Sequence, residues 1–141
     1  RELRLLHHGL AEDAGLETAL ADLAEVTQNE TDLMITTSID LPIEPSGVQL
    51  SALYRAAQEA VTNVRKHANA QSVHIDVFES DERVVLVVDD DGIGNGGDPG
   101  LGLTTTRERF EALGGSAVAV AKRDHGTRFE AWLPIVEGVE S

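Results

Sequence analysis

The chain has 141 residues and a formal net charge of −14, which comes from 25 acidic and 11 basic residues. This negative charge argues against binding to nucleic acid or to an anionic membrane surface, because both functions need a basic face. The chain has no cysteine, which excludes disulfides and thiolate metal sites, while its length and 41% apolar content predict one globular domain.

Hydrophobic periodicity divides the chain into alternating helices and strands. An amphipathic helix is predicted at "GLETALADLAEVTQN", and a strand rich in β-branched residues at "TDLMITTSID". A longer helix, from about Val48 to Ala68, has a continuous apolar seam. The remaining sequence predicts a hairpin formed by "SVHIDVF" and "RVVLVVDD" and then a helix, "LTTTRERFEAL", which ends at Gly114 and Gly115. A second hairpin is predicted from "SAVAVAK" and "TRFEAWLP".

This order of elements predicts an α+β fold. We expect a two-layer sandwich in which helices cover one face of a mixed, largely antiparallel sheet. We assign residues 1–14 to the end of a preceding helix or linker, residues 15–136 to the domain itself, and residues 137–141 to a C-terminal tail.

A glycine-rich run, "DDDGIGNGGDPGLGL", joins the third predicted strand to the next helix. Six of the 13 glycines of the chain lie in it, and glycine lets a ligand approach the main chain closely. The apolar strand runs directly into Asp89, Asp90 and Asp91, and a carboxylate at the end of a buried strand needs a hydrogen-bond donor, which the amine of a purine would supply. The helix that begins at "GLGL" would attract phosphate by its dipole. The run therefore indicates a nucleotide site, with a mobile loop capped by aspartates as the alternative.

Two common glycine motifs do not explain this run. A Walker A loop needs a Lys-Ser or Lys-Thr pair, and the chain has neither. The string G-x-G-x-x-G is matched in part, but the strand before it belongs to a hairpin and not to a βαβ unit.

The long helix has a polar stripe opposite its apolar seam. On an ideal helix Glu59, Asn63, Lys66 and His67 fall within about 100° of one another. A solvated face has the same pattern, but asparagine is a poor helix former at the middle of a helix. If the stripe is a site, Asn63 offers a neutral oxygen to Mg²⁺, Glu59 a carboxylate and Lys66 a charge for phosphate.

Four segments together resemble the sensor histidine kinases. "YRAAQEAVTNVRKHANA" resembles the N box of the DesK-like subfamily that pairs with NarL-type response regulators. "DDGIG" is similar to the G1 box of that family, "GLGL" to its G2 box, and "GTRFEAWLP" to its closing Gly-Thr strand. The four lie in the family's order, and the resemblance runs from about Leu16 to Pro134. It implies the Bergerat-type ATP-binding fold, shared with DNA gyrase, a class of heat-shock chaperones and the MutL repair proteins.

The resemblance also implies roles for individual residues. Glu59 would polarise the attacking phosphoacceptor, and Asn63 would ligate Mg²⁺. The remaining positions that it assigns to ATP are Lys66 and His67 toward the phosphates, Asp90 at the adenine amine, Gly92 and Gly94 beside base and sugar, Gly100, Leu101, Gly102 and Leu103 in the G2 box at the hinge of a lid, and Thr127 at the adenine end.

The implied function is that of an ATP-dependent protein-histidine kinase, as its catalytic domain only. The domain would donate the γ-phosphoryl group to a histidine on a separate dimerisation domain, for relay to a NarL-type response regulator. We expect it to be cytoplasmic, monomeric in isolation, and free of contacts with nucleic acid or membrane. His7 and His8 lack the acidic residue that usually follows the phosphoacceptor. Two alternatives remain, namely a serine kinase of the anti-sigma-factor type and a nucleotide-binding regulatory module without transfer.

The sequence departs from the family at two further points. Asp91 replaces the Asn that is common in the G1 box, which adds charge beside the nucleotide and increases the expected demand for Mg²⁺. Thr105 and Thr106 stand where the subfamily often has Gly-Met, and their hydroxyls either reach phosphate or have no role.

Overall fold

The structure is a computed structural model, and it describes residues 15–68, 70–92, 100–122 and 126–135. These residues form three α-helices, α1 (Gly15–Glu30), α2 (Gly47–Asn63) and α3 (Gly100–Ala112). They also form five strands, β1 (Met34–Asp40), β2 (Ser72–Ser80), β3 (Arg83–Asp90), β4 (Ser116–Ala121) and β5 (Thr127–Pro134). A π-turn, Val64–Ala68, continues α2. Each helix and strand predicted after residue 14 is present in the predicted order. The segments 1–14 and 137–141, predicted as a preceding helix or linker and as a tail, lie outside the described residues.

The strands form one sheet in the order β1-β2-β3-β5-β4. Strands β1 and β2 are parallel, because α2 carries the chain back between them. The pairs β2–β3, β3–β5 and β4–β5 are antiparallel. The prediction of a mixed, largely antiparallel sheet is confirmed.

The core lies between the three helices and one face of the sheet. Alternate residues of β2 and β3 point into it, as the pleat of a strand requires. Helix α2 contacts both α1 and α3. On the sheet, α1 packs on β1, α2 on β3 and α3 on β4. The largest fully buried hydrophobic side chains are Leu16, Leu20, Leu53, Val61, Val73, Ile75, Val77, Leu86, Phe110 and Leu133.

Helix α2 is the central element of the helical layer. It begins after Ser46, whose hydroxyl accepts a hydrogen bond from the Gln49 backbone N–H at 3.3 Å. Besides its seam it buries Ala52, Ala56 and Ala60. These small residues allow neighbouring helices to approach closely, so two sides of α2 are covered by protein.

Residues with positive φ mark two places where the chain reverses direction, namely the β2–β3 hairpin and the end of α3. The β2–β3 hairpin turns through Asp81 and Glu82, which both have positive φ, at 55° and 63°. A two-residue turn of this kind matches the twist of the strands that it joins. Helix α3 ends at Ala112, and the chain turns away at Gly114, whose φ of 92° favours glycine. In the described part of the chain, no helix combines the length and apolarity needed to span a membrane.

Candidate nucleotide-binding site

Asp90 is a buried carboxylate at the end of the central strand β3. Its side chain is only 4% exposed and lies on the helical face of the sheet, two residues after the buried Val88. The Oδ1 atom accepts hydrogen bonds from the backbone N–H of Gly92 at 2.8 Å and of Thr127 at 3.3 Å. Among the described residues no donor contacts Oδ2. One carboxylate oxygen is therefore held by two backbone N–H groups.

The start of β5 contacts the end of β3 directly. Gly126 has a φ of 95°, and a Cβ atom there would overlap with the backbone carbonyl oxygen of Asp90. The missing side chain lets the next residue, Thr127, bring its N–H to the Asp90 carboxylate. The family resemblance assigns Thr127 to the adenine end but gives Gly126 no separate role, although a glycine directly before the strand was the available signal.

Asp89, the residue before Asp90, points to the opposite face of the sheet. It forms a paired contact with Arg128, from Nε to Oδ1 at 2.9 Å and from Nη2 to Oδ2 at 3.2 Å. The ammonium of Lys122 lies 3.8 Å from Oδ1. The Asp89 hydrogen bonds and charge hold the pKa of Arg128 above its usual value. Basic groups from β5 and from the end of β4 therefore neutralise this carboxylate.

Asp91, the residue after Asp90, contacts the start of β2. Its Oδ1 accepts from the backbone N–H groups of Gln71 at 2.8 Å and Ser72 at 3.0 Å, and its Oδ2 accepts from the Ser72 hydroxyl at 3.0 Å. The backbone hydrogen bonds from Ser72 and then Gln71 lower the pKa of Asp91. From the sequence we expect the charge of Asp91 beside the nucleotide. In the structure its carboxylate instead binds the beginning of β2.

The polar stripe of α2 is divided by the π-turn. Glu59 is exposed and Asn63 is half-buried at the last α-helical position. The sequence predicted regular helix to Ala68, but Val64–Ala68 form a π-turn, in which each residue advances by a smaller angle than in an α-helix. Residues after Asn63 are therefore rotated relative to Glu59. Such turns are frequent at functional sites.

Lys66 lies on a cavity of about 540 Å³ beside this turn. Its neighbours on the cavity wall include Thr62 and Arg65, together with the segment 31–33 that precedes β1. The ammonium is on an exposed side chain, and its predicted contact with phosphate stays a prediction. The His67 side chain lies outside the described residues.

Helix α3 packs beside α2 and follows the glycine-rich run. It begins at Gly100, so "GLGL" forms its first turn as predicted. Leu103 is buried, while Gly94 and the side chain of Leu101 lie outside the described residues. Thr105 is exposed, and Thr106 is 1% exposed with no hydrogen-bond partner for its hydroxyl in the described ranges.

Arg107 of α3 points away from the start of the helix. Its Nε donates to the backbone carbonyl of Ala117 on the edge strand β4 at 3.2 Å. Any attraction of the beginning of α3 for an anion is therefore expected from the N–H groups and the dipole of its first turn, and not from Arg107.

Sequence comparison relates the chain to known ATPases. Residues 49–137 match the family described as histidine kinase-, DNA gyrase B-, and HSP90-like ATPase. The histidine-protein kinase/phosphatase UhpB of Salmonella typhimurium is 39% identical over 106 residues, which cover 71% of this chain and 21% of UhpB. The sensor histidine kinase NarS of Mycobacterium tuberculosis is 33% identical over 138 residues, which cover 92% of this chain and 32% of NarS. The chain thus spans at most about a third of either relative.

Solved structures show the same fold. The histidine kinase domain of the blue-light activated kinase of Erythrobacter litoralis EL346 superposes with a TM-score of 0.67 at 18% identity, covering 86% of this chain and 65% of that one. The catalytic domain of the histidine kinase ThkA gives 0.65 at 16% identity, covering 84% of this chain and 90% of that one. At these identities the likeness concerns the fold alone.

Proposed function

The chain belongs to the family of histidine kinase-, DNA gyrase B- and HSP90-like ATPases, and from this premise we propose that it is the ATP-binding catalytic domain of a sensor histidine kinase. It transfers the γ-phosphoryl group of ATP to a histidine on a separate dimerisation domain. The observation that carries the proposal is the Asp90 carboxylate, buried and held through Oδ1 by two backbone N–H groups. We place the domain at residues 15–136.

Asp90 selects adenine in this proposal. Its Oδ2 atom accepts a hydrogen bond from the exocyclic amine of the base, which compensates the cost of burying a carboxylate. Guanine has a carbonyl oxygen at the corresponding position, so two acceptors would face each other. The site therefore discriminates against GTP by leaving a buried acceptor without a donor.

The phosphates lie between the end of α2 and the start of α3. The free N–H groups of the first turn of α3 favour an anion there. Asn63 fits a Mg²⁺ ion, since this ion commonly takes one or two protein oxygens and completes its shell with waters and substrate phosphates. When bound, the ion neutralises charge on the phosphates. Lys66 would add positive charge there, and the family resemblance assigns His67 to the phosphates as well.

Glu59 assists the attack. It lies one helical turn before Asn63 and is exposed, so a histidine of another domain has access to it. One imidazole nitrogen attacks the γ-phosphorus as the bond to the β–γ bridging oxygen breaks and ADP leaves. Glu59 accepts a hydrogen bond from the other ring N–H and stabilises the positive charge that develops on the imidazole.

The partners and compartment follow from the same proposal. The phosphoacceptor domain docks beside Glu59, and a NarL-type response regulator receives the phosphoryl group afterwards. Because ATP and response regulators are intracellular, the domain acts in the cytoplasm, whatever anchors the rest of the protein.

Isothermal titration of ATP and GTP, with and without Mg²⁺, tests the nucleotide site. We expect the wild type to bind ATP, Mg²⁺ to strengthen binding, and GTP to bind at least about tenfold more weakly, the effect of one unsatisfied buried acceptor. Asp90→Ala should abolish ATP binding, whereas Asn63→Ala should remove the Mg²⁺ effect alone. Asp89→Ala is the matched control, since Asp89 faces the other side of the sheet. Unchanged binding by Asp90→Ala would exclude the assigned site.

Transfer to a supplied dimerisation domain tests the reaction. We expect an acid-labile phosphohistidine, and a strong loss of rate in Glu59→Ala with ATP affinity retained. An acid-stable phosphoserine would instead identify the anti-sigma-factor type of kinase. ATP binding with no transfer to any acceptor would favour the regulatory module.

A further inference from the structure

We propose that Asp91 is a positioning residue that connects the adenine side of the site to its phosphate side. The inference rests on the proposed function. Its basis is geometric. Asp91 is the residue directly after β3, and its side chain binds Gln71 and Ser72, at the junction between the π-turn and β2.

The connection is made by the side chain and the backbone together. Three hydrogen bonds reach the Asp91 carboxylate from Gln71 and Ser72. In addition, the Asp91 N–H donates to the Ser72 carbonyl at 3.3 Å, which extends the pairing of β2 and β3 by one step. The direction in which the chain leaves β3 is therefore fixed on both sides of the Asp91 Cα atom.

Each end of the connection carries a part of the nucleotide site. Asp91 lies between Asp90 and Gly92, and the Gly92 N–H binds Asp90 Oδ1 at 2.8 Å. If Asp91 turned, the Gly92 N–H would turn with it, and the acceptor for adenine would lose one of its supports. Gln71 lies three residues after Ala68, the end of the π-turn that carries Lys66.

An asparagine would make the same connection, but an alanine would not. Both backbone N–H groups bind the single atom Oδ1, which an asparagine retains. Its Nδ2 would replace Oδ2 and donate to the Ser72 hydroxyl, which can accept as well as donate. The presence of Asp in place of the Asn common in the family is thereby explained without a contact between Asp91 and the nucleotide.

The substitutions Asp91→Asn and Asp91→Ala both remove the negative charge, so comparing them separates a positioning role of the side chain from an effect of its charge. If Asp91 acts by position, Asp91→Asn should bind ATP with Mg²⁺ within about twofold of the wild type, and Asp91→Ala about tenfold more weakly, the effect of losing charged hydrogen bonds. If it acts by charge, both variants should bind the anionic nucleotide more tightly. Asp89→Asn removes the same charge two residues away and should behave as wild type.

Adenosine and ATP, titrated with each variant, show which side of the site is affected. We expect Asp91→Ala to weaken adenosine binding and also to reduce the gain in affinity that phosphates and Mg²⁺ provide. A purely structural role would lower the melting temperature of Asp91→Ala but leave both affinities unchanged well below that temperature. If Asp91→Ala does not fold, Asp91→Ser replaces it, since its shorter hydroxyl cannot reach both N–H groups.

The outcomes distinguish this inference from the proposed function. If the wild type does not bind ATP, both fail. If Asp90→Ala loses binding but Asp91→Ala binds as the wild type does, the site is correct and the positioning role is wrong. Weak binding by Asp91→Asn as well would also overturn the inference, because the asparagine keeps the connection.

Discussion

Gly126→Ala should be strongly destabilising, because two independent features of the structure require glycine there. The φ of 95° lies in the region that side chains with a Cβ rarely adopt. The added Cβ would also overlap with the backbone carbonyl oxygen of Asp90. Rotation of a side chain cannot relieve a contact with the backbone, so β3 and β5 would have to separate.

The magnitude follows from these two effects. A residue with a Cβ costs roughly 1–2 kcal/mol in a left-handed conformation. Forcing an extra methyl group into a packed contact costs typically about 1–3 kcal/mol. We therefore expect a loss of about 3 kcal/mol in the free energy of unfolding, a large share of the roughly 5–15 kcal/mol that a domain has. Separation would also lengthen the 3.3 Å contact from the Thr127 N–H to Asp90 Oδ1, so ATP affinity should fall as well.

Urea unfolding followed by circular dichroism measures this loss, with Gly47→Ala as the matched control. Gly47 is the first residue of α2, and a Cβ there meets nothing within 4 Å. Alanine should be neutral there or stabilise by up to about 1 kcal/mol, since it favours the helix. Equal stability of Gly126→Ala and the wild type would refute the close approach of β3 and β5 at this point.

Two further predictions concern single side chains. Thr106→Val should raise the free energy of unfolding by about 1 kcal/mol, because the buried hydroxyl has no partner in the described ranges and valine has the same shape; a less stable variant in urea unfolding would show that the hydroxyl is satisfied. The second prediction concerns Asp91, whose pKa is lower in the folded protein than in the unfolded chain. The ionised carboxylate therefore stabilises the fold fully above the unfolded pKa of about 3.9, and this contribution is lost as the pH falls through the folded pKa. Urea unfolding between pH 7 and pH 3 should therefore show a steeper acid loss in the wild type than in Asp91→Asn, and parallel profiles would contradict the lowered pKa.

The fold could be predicted because its signals are local. The apolar seam of α2 and the alternation along β2 and β3 depend on residues that are neighbours in sequence. The hairpins follow from short turns between alternating segments, and such turns force antiparallel pairing. The helical stretch ends at Ala68 as predicted, but the π-turn at its end was not predicted, since it changes the rise and angle per residue without interrupting the apolar pattern.

The internal support of the site could not be predicted, because it depends on which strands become neighbours. Nothing near Asp89 in the sequence indicates Arg128, which meets it only because β5 lies beside β3. The role of Gly126 depends on the same neighbourhood. Asp91 was likewise interpreted by its position beside Asp90, whereas its partners precede β2.

The arrangement of three consecutive aspartates resolves an electrostatic difficulty. A chain with a net charge of −14 is proposed to bind a polyanion beside three adjacent carboxylates, which would repel it. The pleat of β3 sends Asp89 to the opposite face, where Arg128 and Lys122 neutralise it. Asp91 is directed to the N–H groups that begin β2. Of the three, only Asp90 is left for the proposed ligand, and the proposal places it at the base and not at the phosphates.

The same arrangement limits which cations remain for the phosphates. The chain has two lysines, Lys66 and Lys122, and Lys122 lies beside Asp89. Arg107 and Arg128 are held by a β4 carbonyl and by Asp89. With these groups engaged, the proposal assigns the charge balance of the phosphates to Lys66, to His67, to the first turn of α3 and to a divalent cation. Binding of ATP should for this reason depend more on Mg²⁺ than binding of adenosine does, and equal dependence would place the ion away from the phosphates.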